Sequence, residues 1–374
     1  MASCPLRVQT LFLFPFRGRR GTDYLYYWKL KELERRYPVV FHPYTALLPV
    51  AMGNALHAAD RVWWRLAHRS GVAIPTWWST LRRVTVAPRS AGRFGTDLIY
   101  TNYLIPANRV GVPIVLEWDF NVYGTSDERK HLRQDLYVPA WFIRRVAVVI
   151  VRHELSRGAF AAKYPDDAHK AVIVPLYMPW VEPVGEDLVV RKFGQAAGGE
   201  VEILFVGNDA RRKGLPALLD AYGRLRRAGR GVRLTIVSNF HDGGVALPPD
   251  VVVRSNLKPA EIYELMERAH IFAMPTRLDA HPAVYREAMA NGCALLFPDT
   301  SPHRDLLGDY GLAVPPDDLE AITTGLQGLL DHMDFTRSCA LRGRQAFAEQ
   351  LHHRVVGRQY WDVLQRALDG SRVP

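Results

Sequence analysis

The sequence is poor in cysteine. Its 374 residues hold three, Cys4, Cys293 and Cys339, far apart and without metal-ligand spacing. That pattern excludes a disulfide framework and a structural zinc cluster, and it fits a reducing, cytoplasmic setting. Also missing is any apolar run near the ~20 residues that a bilayer crossing needs. The stretch "VQTLFLFPF" from Val8 to Phe16 is short, lacks a small-residue cleavage site and runs into Arg17, Arg19 and Arg20. It reads as a buried first strand rather than a signal peptide. There is no repeat of solenoid period, no low-complexity tract, no dense basic run and no recognised nucleic-acid motif. Neither a G-x-x-x-x-G-K-[ST] phosphate loop nor an Asp-x-Asp metal motif occurs.

What is present is the balance of a soluble globular protein, 48% hydrophobic and 23% charged, at a length comfortable for two domains. The net charge of +10 is lopsided. Residues 1–190 carry 25 Lys+Arg against 16 Asp+Glu, or +9, and residues 191–374 carry 23 against 22, or +1. A basic first half suggests an anionic partner, whether nucleic acid, a membrane surface or a phosphorylated acceptor; ordinary solubility charge is the alternative.

Strand and helix signals alternate along both halves. "VQTLFLF" is followed by the helical "TDYLYYWKLKELERRY", with Thr22 as its cap. "DLIYTN", "PIVLEWD", "VAVVIVRH" and "KAVIVP" read as strands, and Val146–His153 is too apolar to alternate, as a parallel strand covered on both faces should be. The Pro- and Gly-enriched segment Pro179–Glu200 reads as a linker. A second series follows: strands "VEILFVG", "VRLTIVS", "HIFAMPT" and "CALLFPD", with helices "LPALLDAYGRLRRAG" and "PAEIYELMERA" between them. The expected architecture is α/β, with two doubly wound Rossmann-like domains whose strand ends face a central cleft. The boundaries expected are 1–182, 183–355, and a last helix, 356–374, that closes the second domain or crosses back to the first.

Two loops at strand carboxyl ends carry chemistry. In "FVGNDARRKG", strand "EILFVG" ends at Gly207, and Arg211, Arg212 and Lys213 precede a helix. A cationic loop there suits phosphate; a solvated basic turn is the plainer alternative. In "PTRLDAHPAVYREAMANG", Asp279 and Glu287 stand eight positions apart. Pro282 opens a helix that Gly292 ends. Free backbone N–H groups around Ala283 and Val284 would point into the same region. Paired carboxylates accept from sugar hydroxyls and N–H groups hold phosphate oxygens, so the combination suits a nucleotide sugar. By spacing alone, a loop cap and a helix-surface acid explain the two residues as well.

These residues resemble the donor-binding domain of the retaining glycosyltransferases of family 4, the glycosyl transferases group 1, which have the GT-B fold. "PTRLDAHPAVYREAMANGCALLFPD" resembles their E-x7-E signature. "FVGNDARRKG" resembles their G-R-x-x-x-x-K-G phosphate loop. "GDYGLAVPPDDLEAITTGLQGLLD" resembles the strand, loop and helix that follow. Together the three span roughly residues 200–332, and the first half matches only in strand order and general character.

The resemblance implies transfer of a sugar from a nucleotide diphosphate sugar, with retained anomeric configuration, to a glycan, a lipid-linked or a small-molecule acceptor. It puts Glu287 on the ribose, Asp279 on the donor sugar and Lys213 on the diphosphate. Three departures stand out. The first acid of the signature is Asp279 where Glu is usual. The arginine expected after Gly207 is Asn208, so Arg212 or Arg211 would supply its charge. The glycine-rich loop of the first domain becomes "FRGRRGT", in which Gly21 could still approach a phosphate. On the first domain's cleft strand "LEWDFN" offers Glu117 and Asp119; Asp119 is the candidate, with turn chemistry as its alternative. No metal is required by this arrangement and no permanently bound cofactor is implied. The leaving phosphate could itself accept the acceptor's proton.

The basic, aromatic first domain, with Trp63, Trp64, Trp77, Trp78, Trp118, Tyr24, Tyr26 and Tyr27, should hold the acceptor, and a peripheral contact with an anionic membrane on the inner face is a further expectation. Core packing accounts for most such aromatics in most proteins. Another GT-B enzyme, an inverting transferase or a nucleotide-sugar epimerase, is the competing function, followed by a basic nucleic-acid-binding protein; no nucleic acid partner is expected.

Overall fold

The computed structural model describes residues 5–12, 22–45, 84–85, 95–102, 105–106, 110–118, 138–196, 200–239, 247–277, 279, 283–300 and 303–370. The chain divides into two compact units, Met1–Pro179 with His353–Pro374, and Trp180–His352.

The first unit contains β1 (Leu6–Phe12), α1 (Thr22–Arg36), β2 (Val39–Thr45), β3 (Val84–Thr85), β4 (Leu98–Thr101), β5 (Ile105–Pro106), β6 (Ile114–Glu117), α2 (Ala140–Ile143), β7 (Val148–Val151), α3 (Glu154–Lys163) and β8 (Ala171–Ile173). Its main sheet is parallel throughout, in the order β2-β1-β4-β6-β7-β8, and β3 pairs with β5 apart from it. The apolar runs are explained by covering on both faces. Leu98, Tyr100, Val115, Val148 and Ile150 pack on one side with Leu30 and Leu33 of α1. Ile99, Leu116, Val149 and Val151 pack on the other with Phe142 and Ile143 of α2 and Phe160 of α3. The last helix, α11 (His353–Gly370), belongs to this unit and buries Val356, Tyr360, Val363, Leu364 and Ala367 on the α1 side of the sheet.

The second unit contains α4 (Glu186–Ala196), β9 (Val201–Val206), α5 (Leu215–Arg227), β10 (Val232–Val237), β11 (Val252–Arg254), α6 (Pro259–Arg268), β12 (Ile271–Ala273), α7 (Ala283–Ala290), β13 (Ala294–Pro298), α8 (His303–Leu307), β14 (Gly311–Val314), α9 (Leu319–Asp331) and α10 (Met333–Ala346). Its sheet, also parallel, has the order β11-β10-β9-β12-β13-β14. Helix α5 shows why these sequences take these forms. Leu215, Leu218, Leu219, Tyr222 and Leu225 recur at helical spacing and are buried, Pro216 sits in its first turn, and Arg224, Arg226 and Arg227 fill its last.

The architecture is therefore two doubly wound, Rossmann-like parallel sheets, the GT-B pattern. In each sheet the chain first builds outward on one side of its opening strand and then crosses to the other. The crossing falls between β1 and β4 in the first unit and between β9 and β12 in the second.

One reading needs correction. The segment Pro179–Glu200 is not a plain linker, because α4 lies inside it. Val189 and Phe193, four residues apart, are buried against Ala294, Cys339 and Ala340. Burying each contributes about 2 kcal/mol, and the flanking prolines and glycines hid that single helical stripe. Gly292, at φ +66°, ends α7 where a Cβ would strike Val189 Cγ2 at 2.4 Å. Between the two apolar residues, Lys192 buries its ammonium and donates to the carbonyls of Ala269 (2.8 Å) and Asn291 (3.1 Å), the ends of α6 and α7. Burial lowers its pKa.

Candidate active site

The site grows from the two loops that flank the crossing point of the second sheet. After β9, residues 210–214 form a tight turn in which Lys213 N–H donates to the Asp209 carbonyl at 2.9 Å. Gly214 follows at φ +78°, and a Cβ there would lie 2.0 Å from the Pro275 carbonyl oxygen. Only glycine permits that approach, so the phosphate-type loop presses directly on the end of the next strand. The loop after β12 is zipped to it from the other side. Arg277 N–H and Thr276 Oγ1 both donate to the Arg212 carbonyl, at 2.9 and 3.0 Å.

This clamp brings Lys213 and Asp279 together as an ion pair, although they are 66 residues apart in sequence. Both side chains are largely buried, at 13% and 15% exposure, so water screens the pair weakly. Arg212 turns away: its side chain and backbone N–H are held by Asp209 at 3.1 Å each. Arg211 is exposed and, among the described residues, its side chain makes no hydrogen bond or ion pair. Asn208 has a local reason to replace an arginine. Its Oδ1 accepts from Asn239 N–H at 3.0 Å, and Asn239 Oδ1 accepts from Asn256 N–H at 2.6 Å, which ties the ends of β9, β10 and β11 together.

Glu287 lies on α7, whose first residues are Ala283 and Val284. The residue is partly exposed, but its carboxyl group is enclosed. Burial raises its pKa, and hydrogen bonds from Tyr263 (3.2 Å) and Trp180 work in the opposite direction. The helix is fixed under the site by Tyr285, fully buried, whose hydroxyl donates to the Met274 carbonyl and whose ring meets Phe272 edge-on at 5.4 Å.

Lys213, Asp279 and Glu287 thus sit on adjoining parts of one unit, with Arg211 and Arg212 in the same turn. Asp119, Gly21 and Pro282 lie outside the described residues. Glu117, the other acid of "LEWDFN", is fully buried at the end of β6, where Lys29, Arg152 and the Tyr360 hydroxyl (2.9 Å) occupy its oxygens. Sequence reasoning missed Tyr263 and Trp180. Neither carries a local signal, because both reach Glu287 only through folding.

Comparison with known proteins supports the second unit most directly. Residues 200–332, which include both loops and α7, match the family described as Glycosyl transferases group 1. No curated protein sequence matches the chain. Over the full length the fold resembles sucrose-phosphate synthase from Thermosynechococcus elongatus, at 15% identity and a TM-score of 0.67, covering 98% of this chain and 99% of that one. It also resembles a glycosyltransferase from Rickettsia africae, at 11% identity and a TM-score of 0.60 over 98% and 99% of the two chains. HepE from Anabaena, in complex with UDP and glucose, aligns at 13% identity and a TM-score of 0.60 over 96% and 99%. At these identities the likeness is one of fold.

Proposed function

We propose that this chain is a glycosyltransferase that moves a sugar from a nucleotide diphosphate sugar to an acceptor, with retention at the anomeric carbon. The observation that carries the reading is the Lys213–Asp279 pair at the crossing point of the second sheet, beside a pre-oriented Glu287. The carboxyl edge at such a crossing is where doubly wound sheets bind ligands. The family match over residues 200–332 and a structural neighbour holding UDP and glucose support the same choice of ligand.

In this reading Glu287 accepts from the ribose hydroxyls, held in position by Tyr263 and Trp180. Lys213 meets the diphosphate, with Arg211 or Arg212 swinging in beside it. Asp279 accepts from hydroxyls of the donor sugar. The barrier lies in charge building on the departing diphosphate as the sugar becomes oxocarbenium-like, and a fixed ammonium aimed at that charge is the main source of rate. Retention follows if the acceptor attacks from the leaving-group face and the departing phosphate takes its proton. The backbone N–H groups at Ala283 and Val284 add donors on the phosphate side.

The first unit is assigned to the acceptor, a glycan or a lipid-linked or small molecule; Gly21 is assigned to the donor phosphate and Asp119 to the reaction. A peripheral, cytoplasmic placement on an anionic membrane is supported by the basic first half and by Trp141, 39% exposed with Arg145 stacked 4.8 Å from its ring. Among the described residues no helix is long and apolar enough to cross a membrane.

The test is a thermal-shift screen against nucleotide sugars, followed by NMR of the anomeric product. A donor at a hundred times its Kd stabilises the protein by about 2.7 kcal/mol. A flat response to every nucleotide sugar would remove the donor assignment, and an inverted product would leave the transferase reading but end the retaining one.

A further inference from the structure

Three cations of the two clamped loops are neutralised by the protein itself, and Arg211 is the exposed exception. Arg212 is held by Asp209, Arg277 by Asp317, and Lys213 by Asp279. The first two pairs are about half exposed, at 41% and 52% and at 51% and 44%. The third is the enclosed one, at 13% and 15%, and it joins the two loops across the crossing point. Exposed pairs reorganise at little cost. An enclosed pair is weakly screened, so an anion that needs Lys213 must displace Asp279. The backbone does not have to move for this exchange, because Gly214 against Pro275 and the bonds from Thr276 and Arg277 to Arg212 hold both loops in place.

We propose that Asp279 is a built-in competitor for the diphosphate, and that it makes the site select nucleotide sugars over the bare nucleoside diphosphate. The inference rests on the donor reading given above and extends it to selectivity and product release. A nucleotide sugar brings hydroxyl groups that donate to the freed Asp279 carboxylate, so the displaced acid keeps partners. A bare diphosphate brings none and sets two anions on one ammonium. Once the sugar has been transferred, Asp279 loses its hydroxyl partners, closes again on Lys213 and drives the diphosphate out. The shorter aspartate, standing where glutamate is usual in the resembling family, is held close to Lys213.

The experiment compares the full-length wild type with Asp279→Asn and Asp279→Glu by calorimetry, using pyrophosphate, UDP and UDP-glucose as probes. Pyrophosphate reads the competition whatever base the enzyme prefers. Asp279→Asn is expected to bind pyrophosphate and UDP about tenfold more tightly than the wild type, because a like charge has left the site. UDP-glucose should gain nothing, so the preference for the sugar-bearing nucleotide shrinks or inverts. Asp279→Glu keeps the charge and should keep the wild-type preference. If pyrophosphate and UDP bind Asp279→Asn no more tightly than the wild type while UDP-glucose still binds the wild type, the competitor role is overturned and the donor assignment stands. If no nucleotide sugar binds the wild type but pyrophosphate tightens in the variant, the donor assignment falls and the charge competition stands.

Discussion

The two sheets of this protein are built alike and use charge differently. Each is parallel, six-stranded and crossed next to its opening strand. At the carboxyl edge of the first, Glu117, Lys29 and Arg152 are 0–3% exposed. Arg152 also donates to Tyr360 (2.7 Å) and to the carbonyls of Val174 (3.2 Å) and Pro175 (3.3 Å), while Lys29 donates to Tyr100 (2.7 Å) and lies 4.7 Å from the Tyr360 ring. That network pins α11 to the sheet, and its charged groups are taken up by one another. At the second crossing the Arg212–Asp209 and Arg277–Asp317 pairs are about half exposed, while Lys213 and Asp279 are enclosed but held by fewer bonds than Glu117. Buried, multiply bonded charges are structural; charges at a crossing point held by fewer partners can exchange them. The same topology supports either use, and the side chains decide which.

Breaking the first arrangement should have the largest effect. Glu117→Leu strands two buried cations and is expected to cost about 3–5 kcal/mol, read as a shift in the urea transition of the first unit. A shift below 1 kcal/mol would show that the cations find other partners. Breaking the second should spare the fold and stop the chemistry. Lys213→Ala is expected to lower turnover by about 10²-fold or more in a variant that still folds, and unaltered turnover would remove Lys213 from the reaction.

A smaller effect tests the enclosed acid. Glu287 has a folded-state pKa above its ordinary 4.5, chiefly through burial. The folded protein therefore holds that proton more tightly than the unfolded chain does, and this contribution to stability is present below pH 4.5 and lost as pH rises through the folded value. Glu287→Gln removes the loss, so its stability relative to wild type should improve as pH rises from 4 to 8; a pH-independent difference would mean the carboxylate is fully compensated. The smallest effect is at Asn102, where the first sheet crosses. Its side-chain amide is buried with neither Oδ1 nor Nδ2 hydrogen-bonded. Asn102→Leu should leave the melting temperature unchanged or higher, since an unpaired buried amide is destabilising. A fall of several degrees would give Asn102 a structural role instead.

Much of this was legible in the sequence for identifiable reasons. The run Val146–His153, too apolar to alternate, reads as a strand covered on both faces, and β7 lies within it. The spacing of Asp279 and Glu287, flanked by a strand end and by Gly292, suggested a loop and a short helix, and α7 is there. Helix α4 was not legible, because its stripe is only two residues long and one polar neighbour, Lys192, is buried. The roles of Tyr263 and Trp180 were not legible either, since no local pattern marks a partner that arrives from another element.

The sequence by itself determined the alternation of strand and helix, the two-part organisation and the identity of the acids and cations, because periodicity, glycine placement and composition act locally along the chain. Tertiary structure alone decided which charges are locked and which are available. That choice depends on how many partners surround each group and how far water reaches it, and both are set only when distant segments pack: Glu117 beneath α11, and Lys213 against Asp279.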